Sequence, residues 1–140
     1  MYVFKAMEFI AQYFGDKTST EYTIVQAWAD AQGVVYYTAL LNVLAHAIDS
    51  GQIESVVSLY FNYNLVPAWA DVSTEINNGD PVMAIVNNNH EVMITGYNND
   101  GSVQYYDPYD GIYHTTSTPV TSLSSTIVIT SHNDKNEKSI

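Results

Sequence analysis

With 140 residues the chain is one domain's worth, long enough to bury a substantial core, and its 46% hydrophobic content argues against wholesale disorder. Fifteen acidic residues against four lysines and no arginine leave a net charge of −11, which makes nucleic acid and anionic membranes poor partners. There is no cysteine, so disulfides, thiolate metal sites and thiol catalysis are excluded for the chain as it stands.

No apolar run approaches the roughly 20 residues that span a bilayer, so membrane insertion is not expected. No signal peptide is visible, because Met1 runs straight into a helix. Scarce lysine, absent arginine and abundant Asn, Ser, Thr and Tyr lean toward a secreted or cell-surface protein. Val3 to Phe14 patterns as a helix, with Val3, Phe4, Met7, Ile10, Ala11 and Phe14 on one stripe and Lys5, Glu8 and Gln12 on the other side. Gly15 ends it. Thr18 and Glu21 have capping-box spacing for a second helix, which buries Ile24, Val25 and Trp28 and stops at Gly33. A third helix is expected from Thr38 to Gly51, with Leu40, Leu41, Leu44, Ala47 and Ile48 inward. His46 falls on its polar side with Asn42 and Asp49 and reads as solvated. Glu54 to Tyr63 alternates loosely and is rich in β-branched and aromatic residues, which predicts a strand. Trp69, Val72 and Ile76 share one face of a short fourth helix closed by Gly79.

Val82 to Val86 is an unbroken apolar run, the pattern of a strand covered on both faces. A second strand opens at His90, Asn98-Asn99-Asp100-Gly101 supplies turn chemistry, and a third strand runs from Ser102 to Asp107. Pairing Tyr97 with Ser102 sets Val92 opposite Asp107. His90 and Asp107 then become diagonal neighbours on one face, roughly 7–8 Å apart at the backbone, near enough for an imidazole and a carboxylate to meet. Val92, Ile94, Val103 and Tyr105 share that face, so it looks inward with the pair at its rim. A carboxylate there can hold one ring nitrogen and leave the other for chemistry or binding. A slip of one residue would separate the two. Gly111 to Thr116 and Thr126 to Thr130 read as further strands, and Ser131 to Ile140 as a polar tail. Residues 1–130 therefore form one domain and 131–140 its tail, with helices first and an antiparallel sheet afterwards. That is an α+β layout with a cleft between the halves.

Other chemistries fit less well. Asp100, Asp107 and Asp110 with Asn98 and Asn99 lack the regular alternation and closing glutamate of a calcium loop, and turn formation explains them more simply. His90, His114 and His132 do not show zinc-ligand spacing, and no G-x-S-x-G motif offers a serine nucleophile. No metal and no cofactor is expected. Twelve tyrosines, among them Tyr105, Tyr106 and Tyr109 flanking the proposed pair, supply flat faces with polar tips suited to a peptide groove. The plain structural alternative for His90 and Asp107 is a hydrogen-bonded pair at a sheet end.

Helices followed by H-x-V-x-I-T-G-Y (His90 to Tyr97), a turn, and a strand ending in Asp107-Pro108 resemble the papain-like C39 cysteine peptidases. These include the bacteriocin-leader peptidases and their free-standing C39-like relatives. The resemblance covers nearly the whole chain and is most specific from His90 to Pro108. It implies a bacterial protein with the papain-like (cysteine proteinase) fold, an N-terminal helical lobe packed on an antiparallel β-sheet. His90 matches the family's histidine, Asp107 its orienting Asp/Asn, and Asn78-Gly79-Asp80-Pro81-Val82 the usual lead-in. The departure is at the nucleophile. In the family a cysteine opens the first long helix ahead of an aromatic-Gly pair. Counting back from Tyr13-Phe14-Gly15 lands on Tyr2, with Met1 beside it. A tyrosine with a pKa near 10 is barely ionised at neutral pH and is a poor acyl acceptor. The family's oxyanion glutamine would fall before Met1.

Tyr2 to Tyr13 is in turn similar to the start of the C39-like domain on haemolysin-type secretion transporters. Ala6, Glu8, Ala11, Gln12 and Tyr13 share its A-x-E-x-x-A-Q-Y spacing. There a tyrosine also replaces the cysteine, and the domain binds unfolded substrate without cutting it. This chain shows neither a membrane region nor a nucleotide-binding domain, so only binding by an inactive protease carries over. The resemblance thus implies a catalytically inactive homologue that holds an extended peptide or unfolded protein segment in a relict active-site cleft, with Tyr2 filling the nucleophile pocket. The alternative is an active cysteine peptidase whose thiol is substituted in, or lost from, this chain. There the thiolate would attack a peptide carbonyl, His90 would shuttle the proton and Asp107 would orient it. A third reading is a structural surface module with no cleft function.

Overall fold

The apolar stripe at the start of the chain forms helix α1, Tyr2–Tyr13, with Val3, Phe4, Ala6, Met7, Ile10 and Ala11 buried and Gln12 and Tyr13 exposed. Lys5 and Glu8 make an ion pair one turn apart at 2.6 Å. The helix stops at Gly15 (φ 89°), where the N–H groups of Gly15 and Asp16 donate to the carbonyls of Gln12 and Ala11. The structure, a computed structural model, describes residues 2–46, 50–65, 69–86, 90–116 and 124–133. By backbone proximity these fall into two units, one holding Val3–Asn62 and Ser131–Ile140, the other Tyr2 and Tyr63–Thr130.

In the first unit α2, Glu21–Gln32, buries Ile24, Val25, Trp28 and Ala29 and ends at Gly33 as the sequence predicts. Its capping box, however, is Thr20 with Thr23 rather than Thr18 with Glu21. Thr20 accepts the Thr23 N–H and Thr23 Oγ1 accepts the Thr20 N–H at 2.8 Å. Thr18 is already committed, since its N–H and hydroxyl both donate to the Asp16 carboxylate. Helix α3, Tyr36–His46, begins two residues earlier than expected and buries Ala39 and Val43. Leu41, expected inward, is 47% exposed, because the buried stripe runs through 39 and 43. The side chains of Leu44 and His46 and residues Ala47 and Ile48 lie outside the description.

Of the strand expected over Glu54–Tyr63, only Phe61–Tyr63 is extended. Ser50–Val57 is instead helix α4, with Gly51 inside it. Ile53, Val56 and Val57 are buried at positions i, i+3 and i+4, a helical period that outweighs their β-branched composition. Strand β1, Phe61–Leu65, follows.

In the second unit α5, Trp69–Asn77, leads to strands β2 (Val82–Val86), β3 (His90–Tyr97), β4 (Val103–Asp107), β5 (Ile112–Thr115) and β6 (Ser124–His132). The sheet order is β1-β6-β2-β3-β4-β5, with antiparallel pairing from β6 to β5. On the face toward α5, Val82, Ala84, Ile94, Val103 and Val128 pack with Val72 and the half-buried Ile76. On the other face Met83 is paired with Ile127 on one side and Met93 on the other, and all three are buried. This agrees with the unbroken apolar run of β2. Strand β6 is longer than the predicted Thr126–Thr130. It continues through His132, and Asn133 then donates from its backbone to Tyr60 O at 2.8 Å and from its amide to Ser58 O at 2.9 Å. Ser131 and His132, expected in the tail, thus belong to β6, and residues 134–140 lie outside the description. No helix among the described residues is long and apolar enough to cross a membrane.

Candidate functional site

The β3–β4 hairpin sets the phase of any site at its far end. Gly101 N–H donates to Asn98 O at 3.1 Å, Asn98 N–H donates to Ser102 O at 2.9 Å, and Gly101 sits at φ 88°. This is a three-residue loop in which the residue with positive φ is a glycine, free of the Cβ clash. Asp100 completes it by accepting the Ser102 N–H and hydroxyl at 2.9 and 2.6 Å. The expected pairing of Tyr97 with Ser102 is therefore wrong by one residue, since Ser102 closes on Asn98 and Tyr97 pairs with Val103.

A second irregularity compensates. Gly96 pairs with Gln104, but Ile94 pairs with Tyr105, so Thr95 is an extra residue bulged out of β3. Beyond the bulge Met93 pairs with Tyr106. One further rung in that register sets Val92 opposite Asp107, the facing expected from the sequence, with residue 90 diagonal to it on the same side. Val92, Ile94 and Val103 on this face are buried.

Asp107 ends β4 and is only 8% exposed. Its carboxylate accepts the Tyr109 N–H at 2.8 Å and its carbonyl accepts the Gly111 N–H at 2.8 Å, so the turn after Pro108 pins it from both ends. His90 is the first residue of β3 and pairs through its backbone with Val86; its side chain lies outside the description. Tyr2 is the first residue of α1. Its side chain also lies outside the description.

The turn brings a further pair of groups to Asp107 that the sequence reading did not assemble. Asp110 accepts the Ile112 N–H through Oδ1 and meets His114 Nε2 through Oδ2 at 2.7 Å. Potential ligand atoms of Asp107, Asp110 and His114 all lie within 4.8 Å of one another. Two carboxylates and an imidazole are a donor set for a divalent cation, but the turn and ion-pair bonds already account for their placement. Burial raises the Asp110 carboxyl, yet the bonds from Ile112 and His114 together leave it below the ordinary carboxylate value. Tyr105 stacks on His114, and its phenol is pushed up by burial and by the charges of Asp107 and Asp110. The signal was present in D-P-Y-D-G-x-x-H, which reads as a turn until β5 folds back and brings His114 beside Tyr105.

A separate buried polar cluster lies in the first unit. His132, expected in a frayed tail, has a side chain 6% exposed and places Nε2 3.0 Å from Asp16 Oδ2. Ser19 donates its hydroxyl to the same oxygen at 2.6 Å. Both partners bond the carboxylate itself, so no histidine bridges acid and hydroxyl as a nucleophilic triad requires.

Searches among curated proteins and among solved structures found no match. The sequence model of the Peptidase_C39 like family matches residues 5–126, from the first turn of α1 into β6. The mixed helical and antiparallel layout is that of the family's α+β, papain-like fold. The chain belongs to the Peptidase_C39 like family, and it does so without a cysteine.

Proposed function

We propose that the protein is a catalytically inactive C39-like homologue that binds an extended peptide or unfolded protein segment at the position of the family's active site. The observation that carries this is a C39-like chain with no cysteine anywhere in its 140 residues. Without a thiol the family's thiolate chemistry has no nucleophile, and the tyrosine that the resemblance sets at that position, Tyr2, has a phenol that stays protonated at neutral pH. His90 and Asp107 serve as binding groups, the imidazole offering one donor or acceptor to a peptide backbone while the carboxylate holds the other nitrogen.

The experiment is a titration of the isotope-labelled protein with a reduced, carboxymethylated polypeptide and with capped peptides cut from it. The expected result is saturable binding with amide shifts at His90 and Asp107, weakened at least about tenfold by His90→Ala, as for the loss of a charge-assisted hydrogen bond. Binding that His90→Ala leaves unchanged, or none at all, removes the reading. In Tyr2→Cys, labelling by an electrophilic peptide that His90→Ala abolishes supports the placement of Tyr2.

A second reading draws on the family match beginning at residue 5, after Tyr2. In it the natural protein is an active cysteine peptidase whose thiol is substituted in or missing from this chain, with His90 as base and Asp107 as orienter. A cysteine and an upstream glutamine in the natural coding sequence around Met1 would favour it.

A further inference from the structure

Strand β5 is the last strand of the sheet on its side, and no described strand lies beyond it. Thr116 N–H donates to Val103 O at 2.9 Å, which makes 103 and 116 a hydrogen-bonded rung between β4 and the residue after β5. Antiparallel rungs alternate, so the main-chain groups of His114 turn toward Tyr105 and those of Tyr113 and Thr115 turn outward. An outward row of N–H and C=O groups is a template for another strand. Proteins blunt such edges with lysine, proline or a bulge, and Ile112–Thr115 has none of these. Large apolar and aromatic side chains surround the edge: Tyr109 is 69% exposed, Ile112 56% and Tyr113 63%.

Charge selects the occupant. Asp110 stands at the entrance of β5 with its carboxylate one-third exposed, and the chain as a whole carries −11. A second copy would bring another −11 to the same edge, whereas a cationic segment neutralises it.

We infer that the outer edge of β5 is a binding site for an extended cationic peptide segment, alternating basic and apolar residues, which adds to the sheet as a further strand. Main-chain bonds to Tyr113 and Thr115 supply register, Tyr113 contacts the apolar side chains on one face of the sheet, and Asp110, beside His114 on the other, draws the basic ones. This site uses backbone rather than the His90–Asp107 pair and stands independently of the function proposed above.

The test uses the full isotope-labelled chain and a capped hexapeptide of three Lys-Val repeats. Near saturation the amide protons of Tyr113 and Thr115 should exchange roughly tenfold more slowly, with the largest shift changes confined to β5 and its flanks. A version N-methylated at alternate residues keeps the charge but cannot donate, and should give no such protection. A Glu-Val hexapeptide should bind at least about tenfold more weakly. Asp110→Asn, which keeps the acceptor for Ile112, should weaken only the cationic peptide. Unprotected Tyr113 and Thr115 amides at saturation, equal binding of the N-methylated or acidic peptide, or the same protection arising from self-association without peptide would each overturn the inference.

Discussion

Asp16 offers the most direct test of the interactions that hold the first unit together. It is 1% exposed and accepts from the Thr18 N–H and hydroxyl, the Ser19 N–H and hydroxyl, and His132 Nε2, at 3.0, 3.2, 3.0, 2.6 and 3.0 Å. Burial alone would raise its pKa. The bonds from Ser19, His132 and Thr18 more than offset that and lower it from 3.8 to about 2. A carboxyl depressed by that much contributes about 2 kcal/mol to folding in its ionised form. Because the folded-state pKa lies below the unfolded one, this stability is fully present above about pH 5 and is lost as the pH falls through 3.8 toward 2.

Replacing Asp16 with alanine removes the acceptor from donors buried around it, and should cost about 3–5 kcal/mol at pH 7, the range for breaking a buried charged cluster by deleting one partner. Urea unfolding of both proteins at pH 7, 4 and 2.5 measures the gap. It should narrow by on the order of 1–2 kcal/mol at the lowest pH, where the native carboxylate is itself being protonated. A gap below about 1 kcal/mol at pH 7, or one that does not change with pH, would refute this account of the cluster.

Three further substitutions probe the sheet, a helix and a turn. Ile94→Ala, at a position 3% exposed against Val82 and Val103, should lose about 2–5 kcal/mol in urea unfolding. Leu41→Ala should stay within about 0.5 kcal/mol, since that side chain faces solvent rather than the core the periodicity assigned it to. Gly101→Ala should cost about 1–2 kcal/mol, because an alanine at φ 88° meets its own backbone, and a lower thermal midpoint is the readout.

How far the sequence could be read depended on how local each determinant was. The stripe of α1, the buried set of α2 and the glycines that stop both helices are encoded within a few turns, and they were legible. So was β2, as an apolar run. Residues 54–57 were expected in a strand because they are β-branched-rich, while Ile53, Val56 and Val57 recur with the period of a helix. The cap of α2 was misplaced because Asp16 takes Thr18 as a partner, and nothing in the spacing announces that. The union of Asp16 with His132, 116 residues apart, has no local signature at all. His114 belongs to the same class, since its meeting with Asp110 becomes visible only when the turn after Pro108 is known.

The shared face of residues 90 and 107 deserves a physical cause, and packing supplies one. Tyr97 reaches α5 through a 3.1 Å hydrogen bond from its hydroxyl to Asn77, and Ile94 packs against the same helix in the core. The two are three residues apart, an odd interval that a regular strand would send to opposite faces. The bulge at Thr95 reconciles them by absorbing one residue. Everything N-terminal to it then keeps the phase of Ile94, which carries Val92 and residue 90 to the side of Asp107. The loop at Gly101 and the bulge at Thr95 thus offset each other for reasons internal to the core. It follows that a C39-like sheet would hold residues 90 and 107 on one face whether or not a thiol remained nearby. The register alone does not distinguish a retained binding site from a silent remnant, so that decision falls to the His90→Ala titration rather than to geometry.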